Sequence, residues 1–468
     1  MVEKCRLMTG RCISWMEMVR REDVNLRTKS WGAVAVLLVL LLVVMSSVVL
    51  AGCGDDETTT DTTAADDTGT TESGDTETTE ADTGDGETGD IPIGFLTSYT
   101  GELGAYGQMW FNAAQMAVDD VNAAGGVLDR DIKLYTEDSQ TNVEEGIKAA
   151  RKLINVNKVV AIAGPTSDVV VAIWPICKDN KVVVSSEAAG TTKLDKQGGD
   201  YQFRTVASDS FDGRAAARVL YEEEGFREIA VLYENDEGRR SIATEVMNSF
   251  KDLGGTISKE IAFAPQQATY SAELKQIADA NPEAVWLGAG QESSIVLFKD
   301  ASQRGYDWQW MVASDIAVED IFDLIGADVL EGTLTEMPSA DSEDENFQDW
   351  ANRFQENFGM EATGGFQSNS YDQMIVLALA MEAAGEATGE GINANYREIA
   401  SPPGEKVYTY AEAKKLLEEG TEIDYEGVSG PLDFDEYGNV AGSYAVLVAR
   451  DGKWEEIDFY PASSFGVE

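Results

Sequence analysis

The side chains that most often carry out catalysis are unevenly represented in this chain. Histidine is absent, which excludes histidine-dependent catalytic triads and histidine-liganded zinc sites because no imidazole can act as base or ligand. Acidic residues are abundant instead, 84 in all. At this density paired carboxylates arise by chance at any spacing, so they give no support for a glycosidase. A Gly-x-Ser-x-Gly motif is also absent, and we therefore predict that the chain is not an enzyme.

Four cysteines occur, Cys5, Cys12, Cys53 and Cys177. They show neither the paired spacing of metal ligands nor an even set in the main body of the chain, so we expect no structural disulfide and no metal site. Cys177 lies on an apolar helical stretch, and no histidine is available to activate it. This predicts a buried structural thiol.

Cys53 is the cysteine whose neighbours in the sequence indicate a covalent modification of its thiol. Basic residues between Arg20 and Lys29 precede an apolar run over residues 31–50, which is the order of an export signal. The run is also long enough for a membrane-spanning anchor. The residues Leu50-Ala51-Gly52-Cys53 match the lipobox of bacterial lipoproteins, in which the cysteine thiol receives diacylglycerol. We therefore predict a signal segment over residues 1–52 and lipidation of Cys53, which anchors the exported chain to the outer face of the cell membrane.

A low-complexity segment follows Cys53. Residues 54–90 are almost entirely Thr, Asp, Glu, Gly, Ser and Ala, without a side chain large enough to nucleate a core, so residues 53–90 are predicted to form a disordered acidic tether. The whole chain has 35 basic residues and a formal charge of -49. This charge repels nucleic acid, so no nucleic-acid partner is expected.

Residues 91–468 carry the pattern of an α/β fold, in which short β-type runs alternate with longer amphipathic stretches. Strands are predicted at residues 132–135, 159–163, 182–185, 229–233, 256–261, 284–287 and 310–313, in mainly parallel sheets. The 43% hydrophobic content suffices for two lobes. We predict one lobe over about 91–208 and 339–431 and the other over about 209–338 and 432–468. A cleft between them would lie where strands end and helices begin.

Several motifs in order resemble those of the type I periplasmic binding proteins that serve ABC transporters of branched-chain amino acids. They are Ile93-Gly94-Phe95, Thr100-Gly101, Tyr106-Gly107, Asp120-Val121-Asn122-Ala123-Ala124-Gly125-Gly126-Val127, Gly164-Pro165-Thr166-Ser167, Phe203-Arg204-Thr205 and Tyr425-Glu426-Gly427-Val428-Ser429-Gly430-Pro431-Leu432-Asp433-Phe434-Asp435. The resemblance covers about residues 91–452. It implies two lobes, each a mainly parallel sheet flanked by helices, with a hinge of several crossovers. No cofactor is implied, since a Walker phosphate loop is missing and hydrolysis in such systems belongs to a separate subunit.

The first lobe supplies most of the ligand-binding residues that this resemblance implies. Ser167 opens a helix after a strand, where its hydroxyl and the local amides can hold an α-carboxylate. A plain helix N-cap needs the same residue type at this place. The loop from Ser186 to Thr192 resembles the family's loop whose backbone carbonyl and threonine hydroxyl engage the ligand. Gly190 stands where that threonine is expected, so the assignment goes to Ala188 and to the neighbouring Thr191.

Asp315 follows a predicted strand at the position where similar proteins keep an acidic residue that faces the ligand ammonium. The alternative is that Asp315 caps the next helix. Tyr106 either walls the ligand side chain or packs in the core. The chain departs from the family at Glu237, which precedes Gly238 where many relatives have an aromatic residue. Glu237 either admits a polar ligand or is surface charge at a helix start.

Together these features predict an extracytoplasmic substrate-binding lipoprotein of an ABC transporter. It would capture an amino acid, of the branched-chain type, by closure of the lobes and deliver it to permease subunits in the membrane. The alternative is a sensor lipoprotein for amides, urea or amino acids that reports to a membrane partner.

Overall fold

A computed structural model describes residues 89–362 and 365–465 of the chain. The predicted signal segment, Cys53 and the tether as far as residue 88 lie outside the described residues. In the part of the chain that the structure covers, no helix is both long and apolar enough to cross a membrane.

Fifteen strands and thirteen α-helices make up the described residues. The strands are β1 (Ile91–Thr97), β2 (Ile132–Asp138), β3 (Ala161–Ala163), β4 (Val183–Ser186), β5 (Gln202–Arg204), β6 (Glu228–Glu234), β7 (Thr256–Phe263), β8 (Ala284–Gly288), β9 (Gln309–Val312), β10 (Leu334–Pro338), β11 (Glu405–Val407), β12 (Ile423–Gly427), β13 (Gly430–Pro431), β14 (Tyr444–Arg450) and β15 (Lys453–Tyr460). The helices are α1 (Gly104–Ala123), α2 (Val143–Lys152), α3 (Ser167–Asp179), α4 (Asp209–Arg218), α5 (Glu237–Asp252), α6 (Ser271–Ala280), α7 (Gln291–Arg304), α8 (Ile321–Ile325), α9 (Ala327–Leu330), α10 (Glu345–Phe358), α11 (Gln367–Ala384), α12 (Gly389–Asn395) and α13 (Tyr410–Glu418).

The first lobe is built around a five-stranded sheet in the order β2-β1-β3-β4-β5, in which every pair is parallel. Strands β3 and β4 are buried throughout, as expected for a parallel sheet covered by helices on both faces. Cys177 on α3 is buried as predicted, and burial raises the pKa of its thiol to about 12.

The second lobe is built around a seven-stranded sheet in the order β15-β14-β10-β9-β8-β6-β7. Strands β6 to β10 pair in parallel, and β14 is antiparallel to both β10 and β15. The prediction of mainly parallel α/β sheets is confirmed. The strand predictions omitted β10, β14 and β15.

Helices α10 and α11 return the chain to the first lobe, where α11 packs along α1. Because α11 is buried on nearly every side, it lacks the polar face of a surface helix. Trp110 of α1 fixes the contact, since its Nε1 donates to the Gly365 carbonyl at 2.6 Å and its own carbonyl accepts from Ser370 Oγ at 2.8 Å. The chain therefore completes the first lobe after it has built most of the second.

Three connections between the lobes occur in the described residues, from β5 to α4, from β10 to α10 and from β13 to β14. Two of these segments touch through a bridge between Ala207 and Val440. Thr205, at the start of the first connection, donates through Oγ1 to the Asn369 carbonyl at 2.9 Å and accepts from Asn369 Nδ2 at 2.6 Å. The connections thus form the hinge of several crossovers that the resemblance implied.

Candidate functional site

A cavity lies between the two lobes at the carboxyl ends of their parallel strands. Loops after β1, β3 and β4 bound it on the first lobe, and the first turns of α4 and α5 bound it on the second. The cavity is narrow in this structure, with a volume of about 80 Å³ open to the centres of water molecules. Four predicted site residues line this cavity, Tyr106, Ser167, Ala188 and Asp315.

Ser167 is the first residue of α3, where unpaired backbone amides and the helix dipole favour an anion. Its Oγ accepts from the Thr191 amide at 3.4 Å. The preceding residue, Thr166, occupies the N-cap position and makes no capping hydrogen bond through its side chain. The start of α3 therefore remains open to a ligand.

The loop after β4 is held rigidly beside Ser167. Ser186 Oγ accepts from the amides of Ala188 and Ala189 at 3.1 and 2.8 Å and donates to the Pro165 carbonyl at 2.6 Å. These bonds place Ala188 at the cavity wall. Thr191 lies next to the cavity, but its hydroxyl donates to Glu237 Oε1 at 2.8 Å across the two lobes.

Gly190 has a steric reason to be glycine. A Cβ at this position would lie 1.9 Å from Asp209 Oδ1 and 3.4 Å from the Ala207 carbonyl oxygen. Because the first contact is far below any allowed separation, no larger residue fits while Asp209 keeps its position. The absence of a threonine at position 190 is therefore linked to the buried carboxylate of Asp209, which occupies the space that a side chain would need.

Asp315 lies on the short 3₁₀ turn Ser314–Ile316 after β9. Its Oδ1 accepts from Arg239 at 2.9 Å, and the guanidinium also pairs with Asp236 at 3.0 Å and Glu234 at 3.5 Å. Burial raises the pKa of Asp315 to about 6, although the attraction of Arg239 opposes this rise. Asp315, which was predicted to bind the ligand ammonium, is thus already part of an ion cluster. Sequence reasoning did not predict this cluster.

The charged residues at the start of α5 are more buried than a surface helix start would be. Arg239 is only 6% exposed, and the side chain of Glu237 is 12% exposed. The surface-charge interpretation of Glu237 is therefore wrong, and Arg239 is also buried, whereas Arg240 is exposed. Glu237 does not line the cavity but joins the lobes, since it accepts from Thr191 and pairs with Lys193 at 2.5 Å.

Two further contacts join the lobes around the cavity. Tyr106 OH, on the first lobe, donates to the Ser314 carbonyl at 2.6 Å, and the Tyr106 ring stacks on Trp110 at 5.3 Å. Asp168 accepts from the Glu237 amide at 3.1 Å and thereby satisfies a free amide of the first turn of α5. Tyr106 consequently serves both as a wall of the cavity and as a packed core residue.

The comparisons with known proteins agree with this architecture. The family profile described as "Periplasmic binding protein" matches residues 90–453. The chain belongs to the periplasmic binding protein family. Among its relatives is the leucine-, isoleucine-, valine-, threonine- and alanine-binding protein of Pseudomonas aeruginosa, 24% identical over 302 residues that cover 64% of this chain and 80% of the relative.

Solved structures show the same fold in other periplasmic binding proteins. A leucine-binding protein from Thermotoga maritima matches with a TM-score of 0.69 and 23% identity, over 79% of this chain and 99% of that one. A branched-chain amino acid transporter substrate-binding protein from Streptococcus pneumoniae, in complex with isoleucine, matches with a TM-score of 0.68 and 21% identity, over 80% and 99%. At these identities the likeness establishes the fold of the chain.

Asp209 and Asp212 are among the cavity residues of this periplasmic binding protein that sequence reasoning missed. Both lie in the first turn of α4 and both are buried, with 5% and 6% exposure. The sequence offered only a weak signal for them, because an acidic residue in the first helical turn is ordinarily explained by the helix dipole.

Proposed function

We propose that this chain is the substrate-binding lipoprotein of an ABC transporter, which captures an amino acid between its lobes and delivers it to a permease. The observation that carries the proposal is the cavity itself, in which an anion-binding helix start and a carboxylate face one space from opposite lobes. Ser167 belongs to the first lobe and Asp315 to the second. An α-amino acid carries the two complementary charges on neighbouring atoms.

The carboxylate of the ligand fits the first lobe. Ser167 offers a hydroxyl at the N-terminus of α3, where amide groups and the helix dipole both favour negative charge. The ammonium fits Asp315, whose Oδ1 is held by Arg239 at 2.9 Å and whose side chain remains 15% exposed. Arg239 therefore fixes the orientation of the carboxylate while a further oxygen can accept from the ligand.

Closure of the lobes links binding to transport. The contacts from Thr191, Lys193 and Asp168 to the start of α5 join the lobes in the structure, and an amino acid that touches both walls adds to them. A ligand that binds the closed form better shifts the population toward it. The permease then recognises the closed form, and the ligand leaves chemically unchanged.

Anchoring belongs to the same proposal. Lipidation of Cys53 would hold the chain at the outer face of the cell membrane, and the acidic segment over residues 53–90 would keep the folded part away from the lipid surface. Such an arrangement keeps a binding protein close to its permease. The relatives that are named for leucine, isoleucine and valine support an amino acid as cargo.

A thermal screen of the purified full-length chain against the common amino acids, amides and urea tests the ligand class. One or more amino acids should raise the melting temperature, because a ligand that binds only the folded state stabilises it. Asp315→Ala should abolish this rise. Asp323→Ala, the same change at an exposed position on α8, should retain it. If no amino acid gives a shift, the proposal is wrong.

A further inference from the structure

The charge balance of the cavity is strongly acidic. Five aspartates and a single arginine are among the residues that line it. Three of these aspartates have charged or amide partners. Asp168 accepts from the first amide of α5, and Asp236 and Asp315 both bind Arg239. The remaining two, Asp209 and Asp212, lie one turn apart on the same face of α4.

Asp209 lines the cavity, and one oxygen of its carboxyl group has no hydrogen-bond partner in the described residues. Its Oδ2 is fully buried and unpaired within the described residues, whereas Ser241 bonds to the carboxyl group. Arg204 is a cation that lowers the pKa of Asp209, but its two terminal nitrogens already donate to Asp195 at 2.7 Å and to the carbonyls of Ala189 and Thr191, and only its Nε lacks a partner in the described residues. Burial consequently raises the pKa of Asp209 well above its usual range.

Asp212 also lacks a cationic partner. It lies against Glu336 on β10 and Tyr444 on β14. None of the described Lys or Arg residues forms an ion pair with Asp212 or with Glu336. Burial raises the pKa of Asp212 to about 7 and that of Glu336 well above its usual value. Two buried carboxyl groups in contact retain a proton unless a positive charge approaches them.

The opposite wall of the cavity is apolar. Leu103, Tyr106, Trp110 and Phe366 contribute to it. A hydrocarbon stem can pack against such a wall while a charged end group reaches a polar partner. The cavity therefore combines an apolar wall with an unpaired acidic helix face.

We infer that the cargo is an amino acid with a second cationic nitrogen, such as lysine, ornithine or arginine, and that this nitrogen binds at Asp209 and Asp212. This inference rests on the proposed function, since Ser167 and Asp315 hold the α-carboxylate and the α-ammonium. A leucine side chain would leave both aspartates buried without an ion pair. A side-chain ammonium or guanidinium supplies the missing charge and the hydrogen-bond donors.

Titration calorimetry on the purified full-length chain with lysine, arginine, norleucine and leucine tests the inference. Norleucine has the carbon chain of lysine without its terminal nitrogen. Lysine or arginine should bind roughly 10- to 100-fold more tightly than norleucine, the range expected for a charged hydrogen bond in a desolvated site. Asp212→Asn should remove most of that preference. Asp279→Asn, the same change of charge on an exposed residue of α6, should leave the preference intact.

The outcomes separate the two proposals. Equal binding of lysine and norleucine by the unaltered chain, or tighter binding of leucine, would overturn the inference and leave the proposed function standing. Loss of the preference in Asp279→Asn would also count against it, because the effect would then reflect overall charge. Binding of no amino acid by the unaltered chain would overturn the proposed function itself.

Discussion

Glu187, the residue before the cavity-lining Ala188, should make the stability of the first lobe depend on pH. Its side chain is fully buried, with Oε2 accepting from Gln373 Nε2 at 2.8 Å and Oε1 unpaired in the described residues. Burial raises the pKa of this carboxyl group from 4.5 to about 7. At 1.36 kcal/mol per unit, ionisation of Glu187 above pH about 7 costs the folded state roughly 3 kcal/mol.

The sign follows from the protons bound. The folded pKa lies above the unfolded one, so the stability associated with neutral Glu187 is fully present below pH about 4.5 and is lost as the pH rises through about 7. Glu187→Gln keeps the bond from Gln373 and cannot ionise. It should raise the free energy of unfolding by roughly 2–3 kcal/mol near pH 8 and change it little near pH 4.

Urea unfolding followed by tryptophan fluorescence at both pH values measures this difference. Glu356→Gln, at an exposed position of α10, is the matched control and should change neither midpoint. Equal stabilisation by Glu187→Gln at both pH values would show that improved packing, rather than the loss of a buried charge, is responsible. No stabilisation near pH 8 would refute the reasoning.

Two further predictions concern residues at the cavity. Arg239→Leu leaves Glu234, Asp236 and Asp315 without their common cation, so urea unfolding should show a loss of roughly 3–5 kcal/mol; an unchanged midpoint would contradict this role. Tyr106→Phe removes the bond to the Ser314 carbonyl that joins the lobes, and calorimetry should show an affinity for the amino acid ligand lower by roughly 2- to 10-fold. An unchanged affinity would mean that this bond does not favour closure.

The sequence predicts the α/β fold well because most strands here are apolar runs followed by amphipathic helices. Strand β8 is buried at every residue and stands between α6 and α7, so local pattern suffices. Strand β10 cannot be predicted from its local sequence pattern. It places Thr335 and Glu336 in the core, and a run that contains both and ends in proline resembles a loop. Only the neighbouring strands make its position favourable.

The candidate site could be predicted in part. Ser167 and Asp315 sit at the ends of predicted strands, and parallel strands bring their carboxyl ends to one edge. The ion-pair and hydrogen-bond partners of these residues are harder to predict from the sequence. Arg239 and Asp315 are 76 positions apart, and nothing local distinguishes a buried arginine at a helix start from the exposed Arg240 beside it. Burial decides their roles, and burial is a property of the assembled lobes.

The contact between Gly190 and Asp209 shows how one difference from the family pattern, a glycine in place of the expected threonine, affects the ligand that the cavity can hold. A threonine at position 190 would bring a hydroxyl, which both donates and accepts hydrogen bonds, to the cavity wall. The Cβ of any such residue would lie 1.9 Å from Asp209 Oδ1, so the side chain of Asp209 occupies the space that the threonine would need. An ionised carboxylate only accepts hydrogen bonds. A cationic ligand group that meets this wall favours the ionised form of Asp209, whose pKa burial raises, and removes the cost of a buried unpaired charge.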